Sequence, residues 1–408
     1  MQKDLKYFSN LHNELLKDIN FDYKEKSTIV IDLVTIMASI YYQDIIVTKH
    51  NNKSRNINLT VPVFNPTLWL DHVKIIEDLA NWVSEDIFNI SLVVNSSQFE
   101  GYTNSLIAAN QNDVTLFSGG LDSFAGAYHN YKNNIKSDYI GFINKGEEKT
   151  KQINIAQFYR QVFDDSTEIL LIPKLVSKKR TFIQSTRSLL YLALAIAKAY
   201  FNNSQNVYLY ENGILSLNPE IFNRYTTKTT HPKTIFMYKS LLKRVNININ
   251  IHHPFLFKTK GQIINDMSEK FKTRIKHTFT CGQGRSHPQR IHTGQCGICI
   301  PCILRKISLA SYDNEKYDVI YKYPYDIDVN DIKENIYRKD YISNLNYFDA
   351  YYDLIQSERI HLQVHTRERY YEENINFKMS NKKMFITFAQ EYERFMKKYA
   401  PYRYSRSY

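Results

Sequence analysis

The run Val114-Thr-Leu-Phe-Ser118-Gly119-Gly120-Leu121-Asp122-Ser123 restricts the fold of this chain more than any other. A short apolar strand ends in two adjacent glycines, and a helical pattern over Leu121 to Tyr131 starts directly behind them. Paired glycines at that point let the backbone adopt angles that aim successive N–H groups at one anion. The helix start adds free N–H groups and the positive end of its dipole. Ser118 and Ser123 supply hydroxyl donors, and Asp122 is placed to bind Mg2+ or to cap the helix. No GxxxxGK[ST] is present, which removes the P-loop NTPase interpretation.

The same strand, turn and helix rhythm repeats behind the loop. Tyr139 to Asn144 is expected as a second strand with helix Lys149 to Phe163, and Glu168 to Pro173 as a third with the Ala/Leu-rich helix Ser185 to Phe201. Val207 to Glu211 is expected as a fourth. Such alternation implies an α/β fold with a parallel sheet covered on both faces and a ligand at the carboxyl ends of its strands. Residues 1 to 25 read as a polar helix or tail. From about 28 to 98 the pattern gives a helix (Ile31 to Ile45), a strand (Ile57 to Phe64), a helix (Trp69 to Val83) and a strand (Ile87 to Val94). That is a small α/β or α+β unit without a catalytic constellation. Helical patterns return near Leu345 to Ile360 and Lys382 to Lys398. The expected division is an accessory α/β domain over 1–110, a parallel α/β domain carrying the glycine loop over 111–310, and a helical, Tyr-rich C-terminal extension over 311–408.

With 43% hydrophobic residues and only 12 Gly and 10 Pro in 408, a folded globular protein is expected rather than a disordered or fibrous one. The apolar stretch Ile29 to Val47 is interrupted by Asp32, Gln43 and Asp44, so no membrane span is expected. The start MQKDLKYFSN has no apolar signal core, from which a cytoplasmic location is expected. The net charge of +12 is unevenly placed. Residues 1–173 carry 15 basic and 21 acidic groups, 174–302 carry 20 and 4, and 303–408 carry 18 and 16. The excess fits local compensation for phosphates and thiolates better than a general nucleic-acid surface, so nucleic acid is not the favoured partner.

All four cysteines fall in one stretch, Cys281-x14-Cys296-x2-Cys299-x2-Cys302. Two knuckle-like spacings sharing Cys299, plus one thiolate from a nearby loop, match a closed tetrahedral four-cysteine zinc site over residues 281–302, structural in role. An iron–sulfur cluster is the alternative. His287 and His292 lie inside the loop, but four thiolates already fill the shell.

Together the two motifs resemble the 7-cyano-7-deazaguanine synthases of the queuosine pathway, the QueC family. SGGxDS is the loop signature of the PP-loop ATP pyrophosphatases, which cut ATP between its α and β phosphates. The QueC family joins that loop to a Cys…CGxCxxCxxR site, here Cys281 and Cys296-Gly297-Ile298-Cys299-Ile300-Pro301-Cys302-Ile303-Leu304-Arg305. Ser185-Thr186-Arg187-Ser188 fits the family's Arg before the Ala/Leu-rich helix, and Pro254 to Gly261 matches its "P…xTKxE" stretch. The likeness covers about residues 112 to 310. Synthases of the pathway lack the long flanks, and their PGRN and polar substrate segment differ from Ser-Thr-Arg-Ser and Tyr210 to Asn218 here. The extended layout is similar to the QueC-like proteins of bacterial anti-phage operons, particularly the Qat system, with a related member in type IV CBASS.

The resemblance implies an adenine-nucleotide alpha-hydrolase-like core, with ATP, Mg2+ and Zn2+ as cofactors. It implies ATP-dependent C–N ligation through adenylation of a deazaguanine carboxylate, within a defence complex of several protein subunits. Ser118, Gly119, Gly120, Leu121, Asp122 and Ser123 are then expected around the phosphates, with Asp122, Ser123 and Arg187 in catalytic positions. The backbone of Phe142 to Asn144 is expected at the adenine edge. Lys258 and Lys260 are candidate phosphate contacts, and Glu211 and Asn212 candidate partners of the deazaguanine edge. A tRNA-thiolating PP-loop enzyme and a non-catalytic nucleotide-binding subunit are the competing functions.

Overall fold

The computed structural model describes residues 2–17, 19, 27–49, 53–97, 111–143, 146–172, 184–222, 226–282 and 294–399. Its elements begin with helices α1 (Gln2–Ser9), α2 (Leu11–Leu16) and α3 (Thr28–Ile46), then strand β1 (Asn56–Val63). Helices α4 (Pro66–Leu70) and α5 (Val73–Ser84) precede β2 (Ile87–Val94), which pairs in parallel with β1 from Asn56↔Ile87 to Val63↔Val94. The single helix expected over Trp69 to Val83 is therefore broken. Asn65 caps α4 by accepting from the Leu68 N–H, and the Trp69 indole turns inward to donate to Asp32.

The central sheet follows: β3 (Asp113–Leu116), α6 (Leu121–Lys132), β4 (Ser137–Phe142), α7 (Gly146–Arg160), β5 (Ile169–Ile172), α8 (Arg187–Phe201), β6 (Asn206–Tyr208), α9 (Gly213–Ser216), α10 (Pro232–Arg244) and β7 (Asn250–His252). Its five strands are all parallel, in the order β5-β4-β3-β6-β7. The sequence pattern predicts only the first four. The fifth, β7, has three residues in an Asn/Ile alternation and exists because Ile251 pairs with Val207 of β6. The chain leaves β3 to one side through β4 and β5, then returns to the other through β6 and β7. The strand order thus reverses between β3 and β6, and the crevice outside their carboxyl ends is where ligands bind in such sheets.

Helices cover both faces. On one, α8 and α10 pack with α3, α5 and the β1–β2 pair in one continuous apolar cluster that includes Val114, Ile140 and Ile172. On the other, α6 and α7 pack around Phe117, Phe124, Tyr139 and Tyr159. Helices α11 (Lys260–Asn265) and α12 (Glu269–Lys272) extend that layer. A third cluster joins the four cysteines to α13 (Ile300–Ala310), α14 (Asn335–Gln356), α15 (Ile360–Gln363) and α16 (Phe377–Tyr399). Among the described residues only α3 is long and apolar enough to cross a membrane, and 78% of its apolar window is buried inside this protein. Its two acids are structural: Asp32 accepts the Phe64 and Asn65 amides, and Asp44 pairs with Arg55.

Candidate functional site

Gly119, directly after β3, has φ +76, and a Cβ there would lie 2.7 Å from Gln152 Cγ. Only glycine takes that left-handed backbone without strain. Gly120 then starts α6, and its N–H donates to Ser118 Oγ at 3.2 Å. Ser118 Oγ donates to Ser123 Oγ, which donates to the Gly120 carbonyl, at 3.1 and 3.0 Å. The two serines thus hold the loop's shape through bonds of its own. Leu121 is buried and anchors α6 in the core. Gln152 of α7, which sequence reasoning missed, donates to the Ser118 carbonyl at 3.3 Å, while its own Oε1 is buried and accepts from no donor among the described residues.

Across the β3/β6 switch point, the residues after β6 meet the loop. Asn212, fully buried, caps α9 by accepting from Leu215 N and donates to Asp122 Oδ1 at 3.3 Å and Glu211 Oε1 at 2.9 Å. Lys260 is 1% exposed, and its Nζ lies 2.6 Å from Asp122 Oδ2. The two form an ion pair, and among the described residues no other acceptor bonds the ammonium, so its remaining N–H groups are left for a further anion. Burial, and then the adjacent Asp122 carboxylate, push the Glu211 carboxyl well above the ordinary range. Asp122, Lys260 and Asn212, all buried, thus form one cluster with the half-buried Glu211 at the mouth of the phosphate-type loop.

The other expected residues have partners outside this cluster. Arg187 is the first residue of α8 and its guanidinium sits over the Tyr191 ring at 5.3 Å. The start of α8 is fixed from far away in sequence, because Asp44 Oδ2 accepts both the Thr186 N–H and its hydroxyl at 3.0 and 2.9 Å. At the end of β4 the Phe142 carbonyl accepts the Tyr191 hydroxyl, and the Ile143 N–H pairs with the Ile172 carbonyl. These groups are already engaged within the chain; Asn144 lies outside the described residues. Lys258 pairs with Asp266 at 3.2 Å on the surface, so its ammonium is not in the Asp122 cluster.

The four Sγ atoms of Cys281, Cys296, Cys299 and Cys302 lie within 4.8 Å of one another, all buried. A zinc ion in a tetrahedron of four sulfurs, with bonds of about 2.3 Å, has S···S edges of about 3.8 Å. Cys296 and Cys302 Sγ are 3.9 Å apart. The Ile298 and Cys299 amides donate to Cys296 Sγ, and Gly282 N–H donates to Cys299 Sγ. Cys299 also stands at the N-terminus of α13. Donor set, spacing and N–H···S bonds all fit zinc. His287 and His292 lie outside the described residues. Lys306, buried and holding the Tyr323 and Pro324 carbonyls at 2.8 Å, faces the thiolates as counter-charge. Burial lowers its ammonium to about 8, against the pull of Cys302 and Cys296.

The two motifs are physically joined. Arg305, buried, binds Asp318 through Nε and the Thr278 hydroxyl and Ile275 carbonyl through its other nitrogens. It thereby holds the segment that runs into Cys281, and within that segment the Phe279 N–H donates to the Gly119 carbonyl at 3.0 Å.

Two imidazoles, His231 buried and His253 half-buried, are held by backbone carbonyls. His253 Nε2 donates to the Glu211 carbonyl, and His231 caps α10 while bonding the Val364 carbonyl. Burial lowers both to about 4 from 6.5. Each is neutral when folded and takes a proton more readily when unfolded, so stability is full above pH 6.5 and is lost as pH falls toward 4. The loss should reach on the order of 3 kcal/mol per residue. Urea midpoints are expected to drop between pH 6.5 and 4.5; His253→Asn should make the drop shallower, and an equal drop in that variant would refute the assignment.

Fold and site define a parallel α/β protein with a phosphate-type loop and a four-cysteine subsite. A family model described as "Queuosine biosynthesis protein QueC" matches residues 177–313. The match starts behind the Ser118–Ser123 loop and takes in Arg187, the Thr259-Lys260 stretch and all four cysteines. It supports a QueC-like, ATP-using PP-loop domain, with the queuosine-type, nucleotide-binding character that goes with it. No curated protein matches the chain.

Proposed function

We propose that this chain activates a deazaguanine carboxylate with ATP and joins it to an amine. The observation that carries this is the buried Lys260 ammonium beside Asp122, with donors left over, at the mouth of the Ser118–Ser123 loop. In the reaction a carboxylate oxygen attacks the α-phosphorus, the bond from Pα to the bridging oxygen breaks, and pyrophosphate leaves. The amine nitrogen then displaces AMP from the acyl carbon and gives up a proton. Ammonia yields the amide, and a second activation removes its oxygen to give 7-cyano-7-deazaguanine. A protein amine yields a deazaguanine conjugate.

Such chemistry depends on position and charge neutralisation rather than on a side-chain nucleophile. Loop amides from Gly119 to Ser123 hold the β and γ phosphates, with Lys260 supplying charge. Arg187 meets the α-phosphate, and Asn212 and Glu211 meet the deazaguanine edge. Mg2+ would be held by Asp122, where it would neutralise phosphate charge. Residues 111–310 form the catalytic unit in this proposal, with 1–110 and 311–408 as its supports.

The long flanks and altered substrate segment favour a role beside other subunits of a Qat-like anti-phage system in the bacterial cytoplasm. Thiolation is disfavoured because every cysteine belongs to the metal cluster. Incubation with ATP, deazaguanine carboxylate and candidate partner proteins, read by mass spectrometry, should show AMP, pyrophosphate and a new C–N product. Asp122→Ala should lower turnover about 100-fold or more. AMP release that ignores the deazaguanine carboxylate would sink the proposal.

A further inference from the structure

The C-terminal helix α16 reaches back to the start of α11 through a buried acid. Glu391 is buried, and its Oε1 accepts the hydroxyl of Thr259 at 2.5 Å. Thr259 is the N-cap of α11, closing a capping box with Gln262, and Lys260 is the next residue. The position that carries an acid in the "TKxE" stretch is Gln262 here, and a carboxylate arrives instead from 132 residues away. The approach is close: a Cβ on Gly261 would lie 2.5 Å from Glu391 Oε1. The helix is seated at the same place, because Ser311 Oγ donates to the Glu391 carbonyl and Arg394 donates to the Ser311 carbonyl.

We propose that Glu391 is a positioning residue which fixes the start of α11 and so holds the Lys260 ammonium against Asp122. A helix of six residues has little stability of its own, and its first turn is set by its cap. Thr259 fills one N–H of that turn, and Glu391 fixes the Thr259 hydroxyl that does so. Losing the acid frees the hydroxyl, loosens the turn and lets Lys260 leave the loop. The cation that would meet phosphate is therefore set by a helix outside the segment of family likeness. That last step rests on the proposed function; the placement of Lys260 does not.

The test is the acylation rate of individual lysines by acetic anhydride, read by mass spectrometry on the full chain. Lys198 and Lys306, equally buried in other clusters, serve as internal controls. In Glu391→Ala and in Thr259→Val, Lys260 should react at least 10-fold faster than in the wild type while Lys198 and Lys306 do not. Glu391→Gln keeps an oxygen acceptor for Thr259 and should restore most of the protection. Thr259→Val changes no residue of α16 and removes the same hydrogen bond, so it supplies the second test if Glu391→Ala folds poorly. Unchanged Lys260 labelling in either folded variant overturns the proposal, as does a rise shared by all three lysines. Calorimetry with pyrophosphate separates the two ideas: a wild type that binds none refutes the nucleotide site, whereas the labelling result still decides the role of Glu391.

Discussion

Chelating the metal, or making Cys296→Ser, is expected to abolish pyrophosphate binding as well as to melt the cysteine loop. Apparent zinc affinities in small cysteine sites correspond to roughly 10 kcal/mol or more, and that energy is folding energy because the site does not pre-exist in the unfolded chain. Here the four thiols share one apolar cluster with α13, α14 and α16, so the loss spreads into the C-terminal third. A loss on the order of 5 kcal/mol is comparable to the whole stability of many domains. Metal analysis should return one zinc per chain, and hydrogen exchange after chelation should rise over 275–282 and 294–325. Stoichiometric iron with visible absorbance, or unchanged exchange after metal removal, would refute the structural zinc assignment.

The second large effect is Gly119→Ala. At φ +76 any other residue is strained by about 1–2 kcal/mol, and the added Cβ runs into Gln152 Cγ at 2.7 Å. Relief requires either a turn of the Gly119 peptide or displacement of Gln152, whose amide supports the Ser118 carbonyl. Either moves the N–H groups that are to meet phosphate. Removing one such preorganised donor typically costs a factor of about 100 to 1,000, and this change disturbs more than one. Pyrophosphate affinity and AMP release should fall together by at least that factor, with the melting temperature only slightly lowered. Wild-type affinity in Gly119→Ala would show that the loop does not hold the phosphates.

These two sites were legible in the sequence because each is local. A strand, two glycines and a helix start are adjacent residues, and four cysteines within one loop specify their own geometry. The alternation of types gave the parallel sheet, and only the three-residue β7, which exists through its pairing with β6, escaped it. What supports the site was not legible. Asp44 acts on Thr186 across 142 residues, and Glu391 on Thr259 across 132. Neither has a local pattern: Asp44 reads as a charge interrupting an apolar helix, and Glu391 as one acid on a long amphipathic one. Lys258 and Lys260 could both be read from their motif, but their partners could not. Sequence alone left Lys258 and Lys260 equivalent, whereas only the second turns inward, because α11 begins between them.

The hydrogen bond from Phe279 N to the Gly119 carbonyl has a thermodynamic consequence. One peptide group belongs to the segment that closes the cysteine loop, the other to the loop proposed to take the anion. If order in one favours order in the other, the coupling must be reciprocal. Whatever factor the metal adds to anion affinity, a bound anion adds to metal affinity. A chain engaged with nucleotide would then hold its zinc more tenaciously than an idle one, and scarcity of zinc would be felt first by molecules that are not working.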